Sequence, residues 1–188
     1  MNKLAKWLFG FTAGKPVRFI NRYGEPYLER YFLFENPFFV VYLHRFVGPD
    51  GDIETHDHPF TAFSAVLTGR YQEERVTEIC ILRGIGITTR WIRFFNIIRS
   101  RDFHRIVQGD PETWTLFIHT KRRGRDWGFL RSRKMTNNSF EISYHNPFKV
   151  TEDRDKWWLK APLGRDSDRV PFGNNNGQIR LCNRSKGG

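Results

Sequence analysis

The strongest constraint on the fold of this chain is a succession of short β-like runs cut by turn residues. Between positions 17 and 135 the runs Arg30–Phe34, Phe38–Phe46, Phe63–Leu67, Tyr71–Val76, Glu78–Leu82, Gly86–Ile92, Asp102–Val107 and Trp114–His119 are rich in Val, Ile, Phe, Tyr and Thr. Turn sequences separate them: GPDGD at 48–52, TG at 68–69, GIG at 84–86, GDPE at 109–112 and RRGRD at 122–126. β-Branched and aromatic residues fit a pleated, half-buried surface. Turns this close leave no room for the crossover helices of a parallel sheet. An all-β sandwich or jelly roll is therefore expected.

Three segments follow from this pattern. In residues 1–16, Leu4, Trp7, Leu8 and Phe11 recur at helical spacing, which predicts a short helix docked on the domain rather than an anchor on a membrane surface. Residues 17–135 form the β domain. Residues 136–188 form an extension, with one more strand predicted in its first part and an Asn-, Gly- and Arg-rich stretch from Gly164 to Gly188 expected to order only on a partner. At 188 residues, with 18 Phe, 6 Trp and 6 Tyr, the chain has material for one core. Trp114, Trp127 and Phe129 are expected to close it. The apolar patch near the N-terminus is shorter than a signal-peptide core, and no run of 18 apolar residues occurs, so no membrane partner is expected. Two lone cysteines give no disulfide framework. Cys80 is read as a core thiol, and a reducing, cytoplasmic setting is expected.

The histidines carry the chemistry. His56 and His58 lie at i and i+2, which on a strand directs both imidazoles to one face while Asp57 points to the other. Two imidazoles on one pleat can share a metal ion, and a third donor must come from another strand. His104, in RDFHRIVQ, is strand-borne and 46 residues beyond His58. His44, His119 and His145 remain as alternatives, His44 and His145 being expected as hydrogen-bonded structural residues.

The stretch HDHPFTAFSAVLTGRYQEE, followed by FHRIVQ, resembles the two metal-binding motifs of the cupin superfamily. His56 and His58 match the HxH pair, Gly69 the glycine that closes the first motif, and His104 the later histidine. The likeness spans about residues 40–120 and also extends to a family of uncharacterised cupin-like proteins, many linked to phages. It implies a double-stranded β-helix (cupin jelly roll), metal binding, and a bacterial or phage-infected host cell. The glutamate that follows the HxH pair in cupins would fall at Ala62 or Phe63, and neither carries a carboxylate. The three-His set that remains is similar to that of the thiol dioxygenases, which hold Fe(II). The cysteine that some of those enzymes crosslink to tyrosine would fall at Phe63, so that feature is missing.

The resemblance thus implies a divalent metal at His56, His58 and His104, with Fe(II) favoured over Zn(II) or Mn(II), and a dioxygenase acting on a small anionic substrate. Three imidazoles leave adjacent positions open for substrate and dioxygen on Fe(II), or acidify a bound water on Zn(II). A non-redox metal cupin, an isomerase or hydrolase, is the alternative. The net charge of +11 is uneven: residues 83–134 hold 13 Lys and Arg against 4 Asp and Glu. That band attracts anions, so a phage-associated module gripping nucleic acid through residues 90–134 stays open, as does a homo-oligomer. For the substrate anion the candidates are Arg70 and Arg90, with Glu74 as a base. Arg105 follows His104 directly and should point away from the metal. Asp57, Asp102 and Glu74 are the nearby acids that could orient the imidazoles.

Overall fold

Turn chemistry and strand pairing wind the chain into one long hairpin that is then rolled up. The computed structural model describes residues 2–22, 25–48, 54–121, 127–136, 139–145 and 156–173. Among them, helix α1 (Lys3–Phe11) precedes the strands β1 (Val17–Arg22), β2 (Glu25–Glu35), β3 (Phe39–Phe46), β4 (Thr55–His56), β5 (Ala62–Thr68), β6 (Tyr71–Cys80), β7 (Gly84–Ile92), β8 (Phe95–Ile98), β9 (His104–Gly109), β10 (Thr113–Thr120), β11 (Phe129–Lys134) and β12 (Phe140–His145). Four antiparallel pairs are nested: β6 with β7, β5 with β8, β4 with β9 and β3 with β10. Rolling this hairpin sets β10 against β5 and β9 against β6. The result is two six-stranded sheets, β1-β2-β3-β10-β5-β8 and β12-β11-β4-β9-β6-β7. This is the jelly roll expected from the sequence.

Gly69 makes the tightest part of the roll. It closes the β5–β6 turn at φ +69°, a conformation that disfavours a side chain, and a Cβ there would meet the Thr113 hydroxyl. That hydroxyl donates to the carbonyls of Arg70 and Asp110, so the turns before β6 and before β10 are tied together. The next expected turn is displaced. Tyr71–Val76 and the first three residues of the next expected run, Glu78–Cys80, are one strand, β6, with a bulge between Val76 and Glu78. Ile81 and Leu82 form the turn into β7, and Gly84 opens that strand. Cys80 ends β6 only half-buried, not in the core. The turns at 49–52 and 122–126 lie outside the described residues.

Period-two alternation separates the faces of the first sheet. Val40, Tyr42 and Phe117 pack inward with Phe60, Ala62 and Ile98. Leu43 and Trp114 face outward with Tyr31, and there α1 docks through Ala5 and Leu8. The buried side of α1 is therefore rotated from the expected one: Leu4, Trp7 and Phe11 stay exposed. Trp114 lies beneath α1 instead of closing the barrel, whereas Trp127 and Phe129 do line its interior. The second sheet runs past residue 135, because β12 pairs along the whole of β11. Residues 156–173 pack on the barrel, so the stretch expected to order only on a partner is tied down as far as Gly173; residues 174–188 lie outside the described residues. The Val17 amide donates to the Pro162 carbonyl at 2.9 Å, Trp158 stacks on Phe32 at 4.3 Å between ring centroids, and Arg45 donates to the carbonyls of Val170 and Pro171.

Candidate metal centre

The nested hairpin pairs β4 with β9 at a single position, His56 opposite His104. His58 follows two residues after the end of β4 and turns back toward the same point. Imidazole centroids of the three residues are 5.1–5.3 Å apart, and Nε2 of His58 stands 2.9 Å from Nε2 of His104. One ring nitrogen from each residue lies within 4.8 Å of the others. All three side chains are buried. The HxH pair thus meets the later histidine as the sequence predicts.

Asp57 points the other way. Its carboxylate accepts the Gly128 amide at 2.9 Å while its own amide donates to the Gly128 carbonyl, so it fixes β4 beside β11. Asp102 binds Arg75 and the Arg99 amide. The residue that orients an imidazole is Glu73, which the sequence reading passed over in favour of Glu74. Nδ1 of His104 lies 2.9 Å from Oε1 of Glu73. Tyr71 and Glu73 on β6 are buried, whereas Glu74 faces outward and pairs with Arg105 at 2.6 Å. Arg105 points away from the metal centre, as its position after His104 requires.

Glu73 is the hub of a buried polar network. Its oxygens accept from Arg75 at 3.0 Å, Arg90 at 2.9 Å and the Asn96 amide at 2.8 Å, and Asn96 also donates to the Tyr71 hydroxyl at 3.1 Å. Burial alone would raise the Glu73 pKa. The hydrogen bond from His104, the charges of His104 and Arg75 and the bond from Asn96 outweigh it and hold the carboxyl down to about 2. The acceptor carboxylate places an N–H of His104 on Nδ1 and turns Nε2 toward His58. Burial first, then the neighbouring His104, His56 and Arg30, lower the pKa of His58 well below the ordinary value, so it is neutral. Three buried imidazoles converging on one point are the donor set of a divalent transition metal, which each would bind in its neutral form. The residues present fit the ion.

The expected clamp residues stand elsewhere. Arg70 pairs with Asp110 at 3.2 Å and lies over the Trp91 ring at 4.3 Å. Arg90 is spent on Glu73 and on Oδ1 of Asn96. Neither they nor Glu74 line the cavity of about 150 Å³ onto which the three histidines open. Arg30 on β2 does. Its Nε donates to Nε2 of His44 at 3.1 Å and its guanidinium lies 5.4 Å from the Tyr42 ring centroid. Burial first, then the charge of Arg30, holds the pKa of His44 well below its ordinary value, so its Nε2 remains an acceptor. Among the described lining residues Arg30 is the one Lys or Arg, and no Asp or Glu joins it. Ile98, Ile106, Phe117, Trp127 and Phe129 make the remaining wall largely apolar. The signal for Arg30 was its parity with Leu28 and Phe32, two apolar residues on the inward face of β2.

No protein-family model and no curated protein matches the chain. Among solved structures it is similar to KdgF from Halomonas sp., with 18% identity over 56% of this chain and 94% of that one, at a TM-score of 0.41. It is similar to an RmlC-like cupin from Shewanella frigidimarina, with 17% identity over 58% and 86% at a TM-score of 0.38. It is also similar to the hydroxypropylphosphonic acid epoxidase from S. wedmorenis, with 11% identity over 58% of this chain and a TM-score of 0.41; the match spans 56% of that chain. The reactions of those proteins belong to those proteins.

Proposed function

We propose that the chain is a metal-dependent enzyme in which His56, His58 and His104 hold Fe(II) and Arg30 binds a small anionic substrate for oxygenation. The observation that carries this reading is the pairing of a buried three-imidazole cluster with one cation in a cavity that has no carboxylate among its described lining residues. Neutral ligands leave the charge of a divalent ion uncompensated inside the cavity. Glu73, behind His104, is already matched by Arg75 and Arg90. An anionic ligand supplies the missing charge, and Arg30 attracts it to the wall that His44 fixes.

Bound Fe(II) would supply oxygen activation, with positions left open by three protein ligands. The chain's own residues do the rest. Glu73 keeps Nε2 of His104 directed inward. His44 takes the Nε–H of Arg30, which leaves the terminal amino groups for a carboxylate, phosphate or phosphonate in a two-pronged contact. The apolar wall excludes water and strengthens both interactions. The cavity of about 150 Å³ limits the ligand to a small molecule.

Loading the protein anaerobically with Fe(II) and following oxygen uptake over a panel of small carboxylates, thiol acids and phosphonates tests the reading. Substrate-dependent uptake with iron and none with Zn(II) is expected. Turnover that proceeds without oxygen, or equally with Zn(II), would move the protein to the isomerases or hydrolases.

A further inference from the structure

Helix α1 carries two apolar rows. Ala5 and Leu8 lie on the first sheet, and a second row about a quarter turn away, Leu4, Trp7 and Phe11, is 45, 61 and 40% exposed. The Trp7 and Phe11 rings stack at 5.3 Å, so the row is a formed surface. The same outer face of the sheet continues beyond the helix. Phe63 on β5, with Phe95 and Ile97 on β8, alternate outward from buried Ala62, Ser64, Asn96 and Ile98. The Phe63 and Phe95 rings stack at 6.2 Å. Because α1 packs against β5, both sets belong to one side of the molecule.

Cations outnumber acids on the helix and its neighbours, although Asp166 and Asp168 are exposed in the segment that packs beside residues 12–14. Residues 1–22 contain no Asp or Glu, and Lys3 and Lys6 are exposed on α1 itself. Arg93 and Arg99 flank β8, and neither they nor Lys3 and Lys6 form an ion pair with another described residue. A second copy seated here would bring these cations against their own images, a repulsive arrangement. A nucleic acid strand would use the aromatic planes and the cations but would leave Leu4 and Ile97 without a partner. An anionic bilayer surface satisfies all of them. Tryptophan, phenylalanine and aliphatic tips enter the boundary between headgroups and acyl chains, and lysines and arginines reach the phosphates. Among the described residues no helix is long and apolar enough to cross a membrane, so the contact is peripheral.

We propose that this outer face, with α1 at its centre, docks on anionic lipid bilayers. The proposal is independent of the metal centre, which opens between the sheets. Flotation with vesicles of phosphatidylcholine alone, or with about 30% phosphatidylserine, tests it. The full chain should float only with the anionic vesicles and should release in about 0.5 M salt. The triple variant Leu4→Ser, Trp7→Ser, Phe11→Ser should lower the partition coefficient about tenfold or more. The variant Lys3→Glu, Lys6→Glu should do the same while keeping the apolar row. All five residues are exposed, and far-UV circular dichroism checks that both variants keep the fold. Absence of flotation at low salt, or flotation unchanged in both variants, would overturn the proposal. So would a dimer in sedimentation equilibrium that the triple variant dissociates, or binding of a single-stranded oligonucleotide that both variants abolish while vesicles are ignored.

Discussion

Oε1 of Glu73 lies 2.9 Å from Nδ1 of His104, on neighbouring strands of one sheet, and this contact gives the imidazole its direction. Replacement by Gln keeps the shape but removes the charge that Arg75 and Arg90 also use. Glu73→Gln is expected to weaken metal affinity about 10–100-fold, as loss of a carboxylate behind a histidine ligand does. Competition with a fluorescent chelator measures it, and unchanged affinity would remove Glu73 from the centre.

Arg30→Met keeps the stem of the side chain and loses the fork. The metal should still bind, because Arg30 touches His44 and not the three-His cluster. KM for the anionic substrate should rise about tenfold or more, consistent with about 1.5–3 kcal/mol for a hydrogen bond to a charged group. Steady-state kinetics beside a metal assay separates the two effects.

These two residues show where the sequence was legible and where it was not. The three-His cluster was readable because i and i+2 parity is a local property, and because a nested hairpin brings His104 opposite His56. Glu73 and Glu74 are adjacent, so their roles depend on which face of β6 turns inward. The buried Tyr71, two residues before Glu73, decides that only once the barrel exists. Arg30 lies on a strand that was recognised, yet an arginine among apolar neighbours reads equally as a solvated face. Arg70 and Arg90 lie away from the cavity because of acid partners, Asp110 and Glu73, that stand on other elements and are not visible in local sequence. The packing of residues 156–173 was hidden for a similar reason: it depends on Arg45 and Glu29, more than a hundred positions earlier.

Arg45 shows what that packing costs to disturb. It is fully buried, pairs with Glu29 at 3.1 Å and Glu112 at 2.6 Å, and also donates to the Val170 carbonyl. Arg45→Ala leaves two carboxylates without their cation, which should destabilise the fold by about 3–5 kcal/mol. Urea denaturation checks this value, and a loss below about 1 kcal/mol would contradict it.

Gly69→Ala tests the roll itself. The substitution forces a side chain into φ +69° and against the Thr113 hydroxyl, which braces two turns. A loss of about 2–4 kcal/mol is expected from the strained backbone and the broken hydrogen bonds. Thermal unfolding of Gly69→Ala beside Gly10→Ala, where a Cβ meets nothing within 4 Å, isolates the effect.

The most direct test of the account is elemental mass spectrometry of the purified protein after reconstitution with Fe(II), with His56→Ala and His104→Ala alongside. About one ion per chain, lost in both variants while the fold persists, is the predicted result for a centre held by three ligands. Failure of the wild-type chain to retain any metal, or retention unchanged in both variants, would contradict it.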